Sequence, residues 1–302
     1  MNWRPLALVL VAIALAALPF GVSGYALGVL TLAYYFGVFS MSWDLLFGFA
    51  GEVNFGPTFL IGVGAYSAGL LNVHGWSIPL CVATGAAASV VAGLLLALPA
   101  LRLRGPYFGL VTLVAVLLLQ QVIVIFAGVT GGEIGLSLPD VLSVDARTNY
   151  WYAFGFMVVS AALLTGLARS PVGLILQAAG QDPVEAQALG FNVAKHKLAA
   201  FSVSALFSGL SGALMVFYLG TASVGTVVDV AIAVQVIIAV VLGGRRTILG
   251  GVIGSLFLII AGEILRPLGQ LSTLVVSAIA LAVILFFPDG LLGIFARRGE
   301  RA

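Results

Sequence analysis

The chain has 302 residues, of which 62% are hydrophobic and 8% charged, and its formal net charge is +2. A soluble domain carries about 25% charged residues, so this chain cannot cover a surface against water, and lipid must solvate most of it. The small net charge gives no sign of a nucleic-acid partner. The lone Cys81 excludes an internal disulfide and a thiolate metal cluster, and His74 and His196 lack metal-ligand spacing.

A membrane span takes about 20 apolar residues, because the hydrocarbon core is about 30 Å thick and a helix rises 1.5 Å per residue. Apolar runs bounded by charge, glycine or proline cover 6–22, 25–47, 58–73, 79–98, 106–128, 150–168, 197–219, 227–243, 248–265 and 271–287. None alternates apolar with polar as a membrane barrel strand does. The expected fold class is an all-α polytopic membrane protein with about ten transmembrane helices, and no Pro- or Ser-rich linker divides residues 1–302. The first run follows Arg4 as in a secretory signal, but its length favours a retained first helix. Glycines such as Gly62, Gly64, Gly69, Gly250, Gly251 and Gly254 are expected to let helices approach closely.

Charge gives these runs a direction. With the N-terminus in the cytoplasm, eleven of the thirteen basic residues fall inside: Arg4, Arg102, Arg104, Arg169, Lys195, Lys197, Arg245, Arg246, Arg297, Arg298 and Arg301. Only Arg147 and Arg266 fall outside. Retained loops carry such an excess, which places both termini in the cytoplasm. The stretch 48–57 contains no Lys or Arg, and reads equally as a cytoplasmic turn or as a break within the membrane.

Polar residues at membrane depth are expensive and default to functional candidates. Glu52 and Asn54 fall in the 48–57 stretch, Gln120 and Gln121 inside the fifth run, and Gln235 inside the eighth. These five are candidates for a translocation route. An interhelical hydrogen bond is the competing reading for each glutamine. Asp229 and Glu263 lie near outer ends, while Asp44 and Asp289 are expected at the interface in structural roles.

The segment 169–198 is the longest cytoplasmic connection. Asp182 is a helix N-cap, Pro183 takes the first helical position, and Glu185 completes the spacing of a capping box. Gly190 supplies the stop. A helix over 183–189 follows, marginal by itself in water. Such capping on a short surface helix points to a docking element, with an ordinary capped loop as the alternative.

Residues 185–190, Glu-Ala-x-x-x-Gly, resemble the coupling motif of ABC importer permeases. Their context, 186–193 followed by Lys197-Leu198-Ala199-Ala200-Phe201, resembles branched-chain amino acid permeases of the LivM family. The blocks at 48–71, 101–108, 130–136, 241–251 and 288–293 resemble that family in the same order. Departures occur at 51–57, where the family usually has Gly-Gln-x-Ser-x-Gly-His, and at Glu133.

The resemblance implies the vitamin B12 importer type of permease fold in a prokaryotic plasma (inner) membrane. It also implies the transmembrane permease subunit of an ABC importer, most simply for branched-chain amino acids. Asp182, Glu185, Ala186 and Gly190 would couple the chain to an ATPase. Implied partners are a LivH-type permease, two cytoplasmic ATPase subunits and a solute-binding protein. The chain has no phosphate-binding loop, so ATP and magnesium would be bound by partner subunits, with no cofactor here. Urea, short amides or another small polar solute remain open as cargo. A secondary transporter or channel without ATPase partners would explain the composition but not the capped helix. No cluster of His, Asp, Ser or Cys points to an enzyme.

Overall fold

The computed structural model describes residues 12–101, 106–269, 271–286 and 290–292. Arg4, Arg102, Arg104, Asp289, Arg297, Arg298 and Arg301, named above, lie outside the described residues, as do 288 and 293 of the last block.

Almost every described element is helical. A helix α1, described over 12–17, and a 3-10 turn Leu18–Phe20 lead to α2 (Gly24–Asp44), which continues as a π-helical turn, Leu45–Phe49. There follow α3 (Pro57–Val73), α4 (Ile78–Ala100), α5 (Pro106–Ile125), the single turn α6 (Ala127–Thr130) and β1 (Leu136–Ser137). The second half holds α7 (Ala146–Arg169), α8 (Pro171–Gln181), α9 (Pro183–Ala188), α10 (Val193–Leu219), β2 (Thr221–Ala222), α11 (Val224–Val227), α12 (Val230–Gly243), α13 (Leu249–Ile264) and α14 (Leu271–Phe286).

Six helical stretches among the described residues are long and apolar enough to cross a membrane: Gly24–Phe49, Ile78–Ala100, Tyr107–Ile125, Ala146–Arg169, Val193–Leu219 and Val224–Gly243. The apolar helices α3 and α13, with 17 and 16 residues, are shorter, about 25 Å at 1.5 Å per residue. The chain is thus a polytopic, multi-pass helical membrane protein.

The core forms around α2 and α10, the most buried of these six stretches. Both place small polar residues where the backbones meet. Ser204 Oγ donates to Ser42 O at 2.7 Å and Ser211 Oγ to Tyr35 O at 2.9 Å. The Ser42 and Ser208 hydroxyls meet at 2.8 Å, as do those of Ser40 and Ser255 on α13. In lipid, apolar side chains give helices little reason to associate, so close packing and such hydrogen bonds hold the bundle. The glycines behave accordingly: Gly64 lies backbone to backbone against Gly209, and Gly251 against Ser40 and Met41.

The two ends of the bundle differ. At one, β1 pairs antiparallel with β2, Leu136 opposite Ala222, and Asn72 Nδ2 donates to Asp140 Oδ2 at 2.8 Å. There too Arg266 reaches Tyr25 and Glu263, and Arg147 lies in the first turn of α7. At the other end lie Arg169, Lys195, Lys197, Arg245 and Arg246, beside α8, α9 and the 50–56 turn. The basic residues of the described chain are therefore sorted by end, five against two.

The segment 169–198 holds more structure than the helix expected at 183–189. Ser170 and Pro171 start α8, with Gly173 N donating to Ser170 Oγ at 3.4 Å, and α10 begins at Val193, capped by Asn192. Ser-Pro is an N-cap followed by proline at the first helical position, the same signal that announces α9.

Candidate functional site

At the basic end, three features come together: α9, the turn at 50–56, and the loop at 244–248.

In α9, Val184 N and Glu185 N donate to Asp182 Oδ1 at 2.8 and 3.1 Å, satisfying two amides that the first turn leaves free. The capping box expected from the sequence is only half made. The Asp182 amide already donates to Ala178 O at the end of α8 at 3.0 Å, so it is not available to Glu185. The Glu185 carboxylate stays exposed in the first turn, where the helix dipole favours it. At the other end Gly190, at φ +89°, lets its amide reach Gln187 O at 2.9 Å and that of Phe191 reach Ala186 O at 3.2 Å. These are the two bonds of a Schellman motif.

Ala186 alone in α9 is buried, packed with Ala179 of α8 and Val193 of α10. Around it Val184 is 73% and Leu189 75% exposed, and Phe191 is also exposed. The segment thus presents apolar side chains outward and stands on α8 and α10 through one small residue.

The 50–56 turn links the π-helical end of α2 to α3. Its backbone leaves helical geometry but not its hydrogen bonds. Trp43 Nε1 donates to Asn54 O at 2.6 Å, Phe55 N to Thr112 Oγ1 at 3.0 Å, and Gly56 N to Asn54 Oδ1 at 2.8 Å. An amide outside regular structure needs a partner, and Thr112, two turns into α5, supplies one to Phe55. The turn starts beside α8 and α10 and runs along α5.

Glu52 accepts a hydrogen bond from Lys197 Nζ at 2.6 Å, with side chains 19% and 12% exposed respectively. Asn54 is buried with its side-chain oxygen occupied. Gln120 Nε2 donates to Val228 O at 3.2 Å, tying α5 to the start of α12. Gln121 and Gln235 are exposed on α5 and α12. The five route candidates are therefore not brought together: two lie in the turn, one bridges helices, and two face outward.

The third feature was only partly foreseen from the sequence. Asp44 is fully buried. Its carboxylate accepts from the amides of Arg246, Thr247 and Ile248 at 3.0, 3.2 and 2.9 Å, and Arg246 Nε donates to Gly48 O at 2.8 Å. Arg246 and Ile248 have φ of +64° and +56°, a region that costs an ordinary residue, and a β-branched one most. Three amides converging on one carboxylate compensate for that conformation. An acidic residue within an apolar run requires a buried partner, and that was the available signal. The partner's identity, about two hundred residues away, was not.

The family described as branched-chain amino acid transport system / permease component matches residues 25–288. The high-affinity branched-chain amino acid transport system permease protein LivM of Escherichia coli K12 is 27% identical over 324 aligned residues, covering 96% of this chain and 75% of that protein. The protein of the same name from Salmonella typhimurium LT2 is 27% identical, over 95% of this chain and 74% of its own length. The probable branched-chain amino acid transport permease protein LivM of Methanocaldococcus jannaschii is 23% identical, over 60% and 64%. No solved structure matches the chain significantly.

Proposed function

This chain belongs to the branched-chain amino acid transport permease family, and from that premise we propose that it is the membrane subunit of an ATP-driven importer whose α9 docks on an ATPase. It is a transport subunit, and the names of its relatives make branched-chain amino acids its cargo. The observation that carries the docking reading is α9 itself. Both its ends are terminated by hydrogen bonds, one small residue anchors it, and Val184, Leu189 and Phe191 are left uncovered at the basic end.

The sorting of basic residues supports a cytoplasmic location for that end, since retained loops are the positive ones. The 50–56 turn then lies on the cytoplasmic side and dips along α5. Counting α3, α13, α14 and the apolar run 6–22 with the six longer stretches gives about ten crossings, in keeping with the vitamin B12 importer type of fold. Gln121 and Gln235, exposed on α5 and α12, are assigned to a route that a LivH-type permease would complete. Glu52, Asn54 and Gln120 hold partners inside the chain. A solute-binding protein would deliver cargo to the β1–β2 end. Two ATPase subunits would bind ATP and magnesium, neither of which this chain has a loop to hold.

The test is a cysteine at Val184 in the assembled complex. Oxidative crosslinking to a cysteine series on the ATPase subunit is expected, together with loss of uptake in Glu185→Arg. An assembled transporter with no ATPase subunit near residue 184, or normal uptake in Glu185→Arg, would overturn the docking reading.

A further inference from the structure

The 50–56 turn is gripped by both helices that flank α9. On one side Gly51, at φ +72°, lies against Gly180, the last residue but one of α8. A Cβ on either would strike the backbone of the other segment. On the other side Lys197, in the second turn of α10, holds Glu52 at 2.6 Å. Two consecutive residues of one turn thus touch the incoming and outgoing supports of α9. Ala186 rests on those same supports, against Ala179 and Val193.

We propose that Glu52 and Lys197 form the latch through which a displacement of α9 reaches the 50–56 turn, with the Gly51–Gly180 contact as its bearing point. The latch rests on the reading of α9 as the ATPase-docking helix. The two contacts act in opposite senses. Backbone packed on backbone has no side chain that can yield, so it passes on a push. An ion pair resists separation, so it passes on a pull. Motion of α9 in either sense is therefore delivered to residues 51 and 52. From there it continues through Phe55 N to Thr112 on α5, and through Asn54 O to Trp43 on α2.

The pair has the energetics of a latch. Two partly buried charges lose hydration in proportion to what they gain from each other, so the closed and open states lie close in free energy. Removing one partner leaves the other uncompensated, whereas exchanging them keeps the attraction. Coupling between sites requires an element with two arrangements that both sites bias, and a pair with near-balanced states is one. It also gives Glu52, at a position where the family usually has glutamine, a task other than meeting the solute.

The experiment uses the full complex with its partner permease, ATPase subunits and loaded binding protein in proteoliposomes, and reads leucine taken up per ATP hydrolysed. Glu52→Gln and Lys197→Met are expected to lower that ratio about fivefold, the low end of coupling between sites, with complex assembly and ATPase rate retained. The exchanged pair Glu52→Lys with Lys197→Glu is expected to recover most of it. Glu52→Asp, which keeps the charge with a shorter reach, is expected to fall between, and serves if the neutral variants fail to assemble. An unchanged ratio in the single variants, or an exchanged pair as uncoupled as they are, overturns the latch alone. A wild-type transporter that works without any ATPase overturns both the latch and the docking reading.

Discussion

Asp44 and Glu52 stand at the two ends of one short connection, eight residues apart, and they are held in opposite ways. Asp44 is fully buried and saturated by three backbone amides of 246–248. Glu52 keeps partial access to water and has one lysine. Opening the first arrangement would orphan a buried carboxylate and three amide donors at once, while opening the second leaves two charges that water can take up. The first therefore reads as a fixed abutment between α2 and the loop joining α12 to α13, and the second as a joint. One carboxylate suffices for either task, and the number and nature of its donors decide which.

The largest expected effect falls on the fixed side. Asp44→Ala removes the acceptor for three amides, of which that of Ile248 is buried and those of Arg246 and Thr247 part-buried, at about 1–3 kcal/mol for a buried one left unsatisfied. Little monodisperse protein should survive extraction in detergent, and recovery at wild-type yield would show that the abutment is dispensable. Gly180→Ala comes next, because its Cβ would meet the Phe49 carbonyl and the backbone of Ala50 and Gly51. A loss of about 1–3 kcal/mol is expected from overpacking, read as a lower thermal midpoint. Gly166→Ala in α7, which meets nothing within 4 Å, should instead be neutral or stabilising by up to about 1 kcal/mol.

Asp182→Ala should remove about 1 kcal/mol from α9 through its lost cap. That is visible as faster hydrogen exchange at 183–188 with the bundle's midpoint unchanged. If the midpoint falls as well, α9 is part of the core rather than an appendage on it. The smallest effect is Glu52→Gln on stability, under about 1 kcal/mol because Lys197, partly exposed, can turn its freed charge to water, measured on the same midpoint. A large loss would place Glu52 with Asp44 and erase the contrast between them.

Some of this was legible along the chain. The apolar runs at 25–47, 58–73, 79–98, 150–168 and 197–219 fall on α2, α3, α4, α7 and α10, because the requirement for burial in lipid is written residue by residue. The end signals of α9 were equally local: Asp182 caps and Gly190 stops the helix as their types dictate. The reciprocal bond from Glu185 failed for a non-local reason, since α8 had already taken the Asp182 amide. α8 carries a readable signal of the same kind in Ser170-Pro171. Glu52 and Asn54 were singled out as polar residues at depth, but their sequence positions could not say that Lys197 and the turn's own amide would occupy them.

The sequence alone determined that the chain lives in lipid, where its long apolar helices run, which end gathers the positive charge, and that a short capped helix sits among those charges. Each follows from hydropathy, propensity or capping, which act between neighbours a few residues apart. Only the tertiary structure decided that Glu52 meets Lys197, that Gly51 bears on Gly180, and that Asp44 holds residues 246–248. Those pairings depend on which helices pack together and in what register, and small residues buried between helices permit the approach without naming the partner.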